Sequence, residues 1–472
     1  MSTVTRRRLL TCLRTVGLVC SPLLIGQYLV AQSAPRPPAN VRIISEPPAP
    51  SGEPTAPSGG SSSKAVLQQV DITYEGMFYM PTTVNGASTR YGLGLAFRRV
   101  NGQKRLFSAI NGYRLYEVVV PSTLTPTPLY TAEVARDWGP IVDQSWINGD
   151  LRGIYWDPVD SRIYQTMGPY YDPPPPDGRT LFFATLDENT GSMQRFGPWG
   201  TKNLPYKMVM GGVTGIPQWF ANAYLGGRRL AMGFGGAYST MGQYGPGSAG
   251  PALSAIAPPS PGANAQFSRL DDKPMLSHWW NTREYTQPLR WQRSADVNLK
   301  PSYKPSWMWL DGGIWSPKNG VGYWTWVDLF EAAGCWIDTP TKHGVLFAPV
   351  LATGDVWYES SDTRYTGLKH IWAMYDPMDL AAVANGSKTP DSVKAVWQAD
   401  VTYPFNRYPM VNYRGGTTID AVGGGTPYYE VPKGMAFDPV ESMLYILMDH
   451  PQYQQLGSVG YDDPVVYVYR VS

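Results

Sequence analysis

Gly153-Ile-Tyr-Trp-Asp-Pro-Val-Asp-Ser-Arg-Ile-Tyr164 returns far along the chain as Gly434-Met-Ala-Phe-Asp-Pro-Val-Glu-Ser-Met-Leu-Tyr445. Gly, Asp, Pro, Val, Ser and Tyr are identical in the two copies, and Trp156 gives way to Phe437 and Asp160 to Glu441. A short apolar run, an Asp-Pro turn and a second run ending in Tyr make one β-hairpin. A hairpin repeated at a distance marks a radial repeat, because each copy needs neighbours to cover its apolar face. The phrase therefore predicts an all-β fold, a β-propeller of four-stranded antiparallel blades.

Weaker copies extend the pattern. Gly94 to Phe97 leads through Asn101-Gly102 to Arg105-Leu-Phe107, Gly312 to Pro317 leads to Tyr323, and Gly344 to Pro349 leads to Val356-Trp-Tyr358. Gly215 to Trp219 before Arg229 to Met232 is the faintest. Further strand-like runs follow several hairpins, as in Thr180 to Leu186 and Met193 to Phe196. This sets four strands per unit, and six blades are expected, with five as the alternative. The last unit is one strand short after Val465 to Tyr469, so the run Val70 to Tyr74 is expected to close the ring. Gly434 to Pro439 with Leu444-Tyr445 resembles the inner hairpin of NHL-type and related six-bladed propellers. That resemblance implies a fold and no activity, because hydrolases, lactonases and binding platforms share it.

Aromatic residues are abundant (13%, with 17 Trp and 31 Tyr) and charged residues sparse (16%). Gly (49) and Pro (44) have no collagen-like period and fit many turns. A net charge of +2 gives no reason to expect nucleic acid as a partner. A neutral glycan, a small molecule or another protein is the expected partner. Arg6-Arg7-Arg8 before an apolar stretch, with Ala31-Gln-Ser33 as a small-residue cleavage site, reads as an export signal over 1–33. Thr5 to Leu10 also resembles the twin-arginine export motif. The alternative is an uncleaved anchor; after cleavage nothing points to a membrane partner. Residues 34–65 read as a Pro/Ser/Gly-rich disordered linker and 66–472 as the propeller, exported to the periplasm, envelope or exterior. After cleavage Cys335 alone remains, too few for an internal disulfide, and Gly334 and Trp336 beside it suggest a buried strand.

Nucleophile-elbow, zinc-helix, phosphate-loop, EF-hand and paired Cys-x-x-Cys motifs are missing from the sequence. Asp157 and Asp438 are expected to cap turns, so that Asp→Asn costs at most about 1 kcal/mol. Propeller geometry gathers residues that precede inner strands or follow second strands on one rim. Asp150, Arg152, Asp311, Lys342, His343, Glu430 and Lys433 belong to the first set, and Tyr170, Tyr171, Glu359, Asp449 and His450 to the second. Asp150, Asp311, Glu430 and Asp449 are the catalytic candidates. Arg152, Lys342, His343, His450, Tyr170 and Tyr171 are the ligand-binding candidates, joined by Trp279 and Trp280, whose faces would stack on sugar rings.

Three functions compete. A binding or scaffold propeller for a glycan or protein is favoured. A glycoside hydrolase or lyase would need two carboxylates across a sugar-sized gap. A metal-assisted hydrolase would use Ca²⁺ with the acids or Zn²⁺ with the histidines. No cofactor is evident; Ca²⁺ is the ion these acids would suit.

Overall fold

The computed structural model describes residues 64–89, 92–110, 114–127, 130–143, 150–168, 179–203, 212–234, 252–261, 268–277, 292–293, 333–359, 362–404, 431–449 and 463–472. The fold is a β-propeller of five blades. Blade 1 is Gly92–Val100, Gln103–Ile110, Arg114–Val119 and Glu133–Pro140. Blade 2 is Asp150–Asp157, Arg162–Gly168, Leu181–Asp187 and Ser192–Thr201. Blade 3 is Gly212–Gly215, Leu230–Gly233, Ala252–Ile256 and Asp272–Ser277. Blade 4 is Ala333–Asp338, Lys342–Ala348, Asp362–Tyr375 and Trp397–Asp400. Blade 5 is Val431–Asp438, Met443–Asp449 and Val465–Val471, completed by Ile72–Tyr79 from the other end of the chain.

The first strand of each blade packs against the first strands of the two neighbouring blades, and the sequence of contacts closes on itself. A hydrophobic cluster fills each of the five blade interfaces. Phe107, Ile154 and Phe182 join blades 1 and 2, and Tyr164, Phe183 and Leu230 join 2 and 3. Leu253, Trp336 and Phe347 join 3 and 4, Leu346, Trp372 and Ile446 join 4 and 5, and Phe78, Leu106 and Val468 join 5 and 1. Successive strand residues point to opposite sheet faces, so one strand feeds two clusters. In Val465–Val471, Tyr467 faces blade 4 and Val466 and Val468 face blade 1.

The six shared positions of the repeated phrase each have a physical role. A Cβ on Gly434 would come within 2.3 Å of Leu95 N, so this position lets inner strands approach. Asp157 and Asp438 each accept the N–H of the shared Val, Val159 and Val440, at 3.0 Å, and Pro lies between them. Ser161 (φ 52°) and Ser442 (φ 53°) take the left-handed conformation that returns the chain. Tyr164 and Tyr445 are buried, the latter stacked on Phe97 across the blade 5–1 interface.

Five blades, not six, follow from how the chain runs after residue 333. Gly344 to Pro349 was expected to be an inner strand. It belongs to the second strand, and Ala333–Asp338, which holds Cys335 and Trp336, is the inner one. Val350–Glu359 opens no new blade; it pairs back on Asp362–Tyr375 as a long hairpin. The Gly312 hairpin lies outside the described residues. The faint hairpin at Gly215 is real, with a short helix, Gln218–Tyr224, inserted in its turn. Among the described residues no helix is long and apolar enough to cross a membrane.

The closing strand makes a direct test. Phe78 is fully buried at the 5–1 interface. Phe78→Ala should lower unfolding stability by about 3–5 kcal/mol, read by chemical denaturation of the full chain. A loss below about 1 kcal/mol would mean that Ile72–Tyr79 does not clasp the ring.

Candidate functional site

The inner strands of blades 2, 4 and 5 each end in aspartate: Asp157, Asp338 and Asp438. That end of the channel opens into a cavity of about 460 Å³. Its walls carry Phe97, Tyr155, Trp156, Trp336 and Phe437, and polar groups come from the three aspartates with Arg99, Arg229, Thr214 and Gln218. The repeated turn supplies the rim at two places, where Val159 (63% exposed) and Val440 (74% exposed) stand at equivalent tips.

Each aspartate is tied to another part of the chain. Asp157 Oδ2 accepts from Arg229 Nη2 of blade 3 at 2.7 Å. Asp438 Oδ2 accepts from Arg99 Nη2 of blade 1 at 2.5 Å. Asp338 accepts from Lys64 Nζ at 2.7 Å and from Trp219 Nε1 at 3.0 Å. The same arginines also meet the outer acids of the turns, Arg99 with Glu441 and Arg229 with Asp160. Lys104 bonds Glu441, and Arg162 faces Asp160 at 3.3 Å. Acids and bases thus balance within each cluster. Burial pushes the Asp157 carboxyl up, while Arg229 and the Val159 N–H pull it back. Both oxygens of Asp157 and of Asp438 thus accept a hydrogen bond, one from the turn N–H and one from the arginine of the next blade.

The turn role expected for Asp157 and Asp438 is therefore half of the account. Their second oxygens make inter-blade ion pairs, and both residues line the channel mouth, which the sequence assigned to neither. The spacing of Asp to Val predicted the turn bond, but nothing local predicts an arginine brought in from the next blade.

The rim set expected to share one face is divided. Asp150 and Arg152 lie in the inner strand of blade 2, which Asp150 begins. Asp449 ends the second strand of blade 5, opposite Val431 at the start of the inner strand. Both mark the channel end away from the described cavity. Lys342 and His343 do not precede an inner strand; His343 pairs with Asp338 at the hairpin end. They are corrected to the opposite end because Lys342–Ala348 is a second strand. Lys342 bonds Asp71 at 2.6 Å. Lys433 lies within the inner strand of blade 5, and Glu359 closes the extra strand of blade 4. Asp311, Glu430, His450, Tyr170, Tyr171, Trp279 and Trp280 lie outside the described residues. Among the described residues no three His, Cys, Asp or Glu side chains gather as metal ligands.

Sequence reasoning passed over Arg99, Arg229 and Trp336. The only signal for Trp336 was its place beside Cys335 in a strand, and that strand is the inner one of blade 4. Cys335 is buried, and burial pushes its thiol far up, so it stays protonated.

No protein-family model matches this chain, and none of the curated proteins matches it. Among solved structures it is similar to a thermostable family-43 glycoside hydrolase at 10% identity, over 80% of this chain and 88% of that one, with a TM-score of 0.33. It is similar to the GH43_1 enzyme from Xanthomonas citri complexed with xylose at 10% identity, over 83% and 89%, with a TM-score of 0.36. It is also similar to a member of the DUF4221 family from Bacteroides vulgatus ATCC 8482 at 11% identity, over 84% and 97%, with a TM-score of 0.30. Likeness of this degree carries nothing about activity.

Two measurements follow from the geometry. Asp157→Ala leaves the Arg229 guanidinium without its most buried partner, and the loss in stability should be about 3 kcal/mol, well above the cost of a turn cap alone. A denaturation midpoint near that of the wild type would show the pair to be dispensable. His343 is 1% exposed, its ring lies parallel to Trp219, and Nε2 is 3.7 Å from Asp376 Oδ1, with Asp338 and Lys64 also near. Burial drives its pKa below the ordinary 6.5, against the pull of Asp376 and Asp338. The unfolded chain then takes up this proton first as pH falls, so stability is full above 6.5 and declines below it. The melting temperature of the wild type should fall between about pH 7.5 and about pH 5.5, and His343→Gln should flatten that slope. Equal slopes in the two proteins would remove His343 as the cause.

Proposed function

We propose that the protein is an exported binding propeller that holds a neutral ligand, of the glycan class, in the cavity at the hairpin end of its channel. The observation that carries this reading is the charge balance of that cavity. Its aspartates are met by cations from the fold, while its walls are aromatic and its rim is apolar. Aromatic faces stack on the C–H faces of sugar rings, and fixed polar groups take the hydroxyls. The volume falls within the range usual for small-ligand pockets, roughly 300–1,000 Å³. Export rests on the basic, apolar start of the sequence and on its small-residue cleavage site.

A second reading places a glycoside hydrolase at the opposite mouth, supported by Asp150 and Asp449 standing at strand ends there. It predicts turnover of glycosides that Asp150→Ala abolishes.

A glycan array with the full chain, followed by calorimetry on its hits, tests the binding reading. Binding should change little between low and high salt, because no net charge is matched. Val440→Asp, a change at an exposed rim position, should weaken binding by about tenfold while leaving the melting temperature in place. No bound glycan, or a Val440→Asp affinity equal to that of the wild type, would overturn the assignment to this cavity.

A further inference from the structure

The cavity is walled on every side, because all five blades contribute to it: Phe97, Trp156, Thr214, Trp336 and Phe437 come from five different inner strands. It is also closed below. Each inner strand carries a glycine at one level, Gly94, Gly153, Gly212, Gly334 and Gly434. In blades 2, 4 and 5 this glycine stands four residues before the aspartate that ends the strand. Across two blade interfaces the glycines meet directly. A Cβ on Gly212 would lie 3.1 Å from Gly153 Cα, and one on Gly434 would lie 2.5 Å from the carbonyl carbon of Gly94. One C–C bond further, the Cα atoms of Gly153 and Gly212 are within about 4.6 Å of each other. A regular ring of five such sides has its centre about 4 Å from each Cα, which is the contact distance of two carbon atoms. The opening at this level is one atom wide, too narrow for a sugar ring. The cavity stops above it: Leu95, Cys335 and Met435, each next after a glycine, line the walls, and none of the five glycines does.

A cleft open at both ends lets a polymer lie through it, so its internal units can be gripped. A cup closed below and on all sides admits only what enters from above. From the glycine level to the aspartates the strands climb about 13 Å, at roughly 3.3 Å per residue. The exposed side chains of Val159, Val440 and Gln218 stand at the mouth. A chain lying across that mouth would touch these tips and leave the walls at Phe97, Thr214 and Trp336 unfilled. A chain end pointing inward would fill them.

We infer that the cavity takes the terminal units of a glycan chain and not its interior, a side branch counting as an end. This rests on the glycan-binding reading above and narrows it to chain ends.

The test uses the unaltered full chain and calorimetry, so no variant has to fold. The probes are a linear glucan, a mannan and a xylan, each as a short fraction of about four units and a long one of about forty, together with a cyclic glucan of the same linkage as the linear one; any other glycan found on the array is compared in the same two lengths. At equal mass of sugar, the short fraction of a bound glycan should offer about tenfold more sites than the long one, with the affinity per site unchanged, because sites follow ends. If the linear glucan is bound, the cyclic glucan, which has no end, should bind at least about tenfold more weakly. Equal numbers of sites per gram in the two fractions, or a cyclic glucan bound as tightly as the linear one, overturns end recognition and leaves glycan binding standing. Absence of binding by every probe, with none found on the array, overturns both.

Discussion

Every blade of this propeller depends on one pairing, that of Ile72–Tyr79 with Val465–Val471. A ring of sheets has no stable open form of the same core, because each sheet face is covered only by its neighbour. Without the N-terminal strand, blade 5 would present an uncovered edge, and Phe78 would be missing from the cluster that joins it to blade 1. The register is irregular between Tyr74 and Gly76, where the chain passes close to Leu124 and Thr125. A Cβ on Gly76 would come within 2.8 Å of Leu124 Cβ, and its φ of 146° suits glycine, so the clasp is shaped to fit beside blade 1.

Apolar packing alone would allow blades to slide, and polar contacts between blades oppose this. Arg98 of blade 1 is buried against Glu117 and also reaches Glu188 of blade 2. Asp157 holds Arg229 between blades 2 and 3, and Trp219 holds Asp338 between 3 and 4. Lys342 of blade 4 holds Asp71, at the entry to the closing strand, and Asp438 holds Arg99 between 5 and 1. Two of these pairs, Asp157 with Arg229 and Asp438 with Arg99, line the same channel mouth, and Asp338 lines it from a third. The bonds that fix blade to blade are thus the bonds that neutralise the cavity. The same side chains join the blades and line the cavity, and an aspartate that reads as a turn residue becomes part of its wall.

His343 and Asp150 show how much depends on which strand is first in a blade. Both were read as residues preceding inner strands. For Asp150 the strand is an inner one, and the residue starts it. For His343 an earlier strand, Ala333–Asp338, takes the inner place, and the histidine moves to the other end of the channel and into the core. The run from Gly344 to Pro349 has the same local pattern as a true inner strand, so pattern alone ranks it wrongly.

The sequence by itself determined the hairpin, its turn and its repetition, because Gly, Asp-Pro, Ser and Tyr act over a few residues through φ, turn bonds and alternation. It also pointed to the N-terminal run Val70 to Tyr74 as the strand the last unit lacked, and Ile72–Tyr79 fills that place. Only the tertiary structure decided the number of blades and the composition of the channel mouth. Blade count depends on whether successive hairpins start new sheets or extend old ones, as Val350–Glu359 does. The mouth is made from Arg99, Asp157, Arg229, Trp336 and Asp438, which come from all five blades and meet only when the ring closes. Contacts between residues so far apart in sequence leave no local pattern, since each residue answers to a partner that the chain supplies elsewhere.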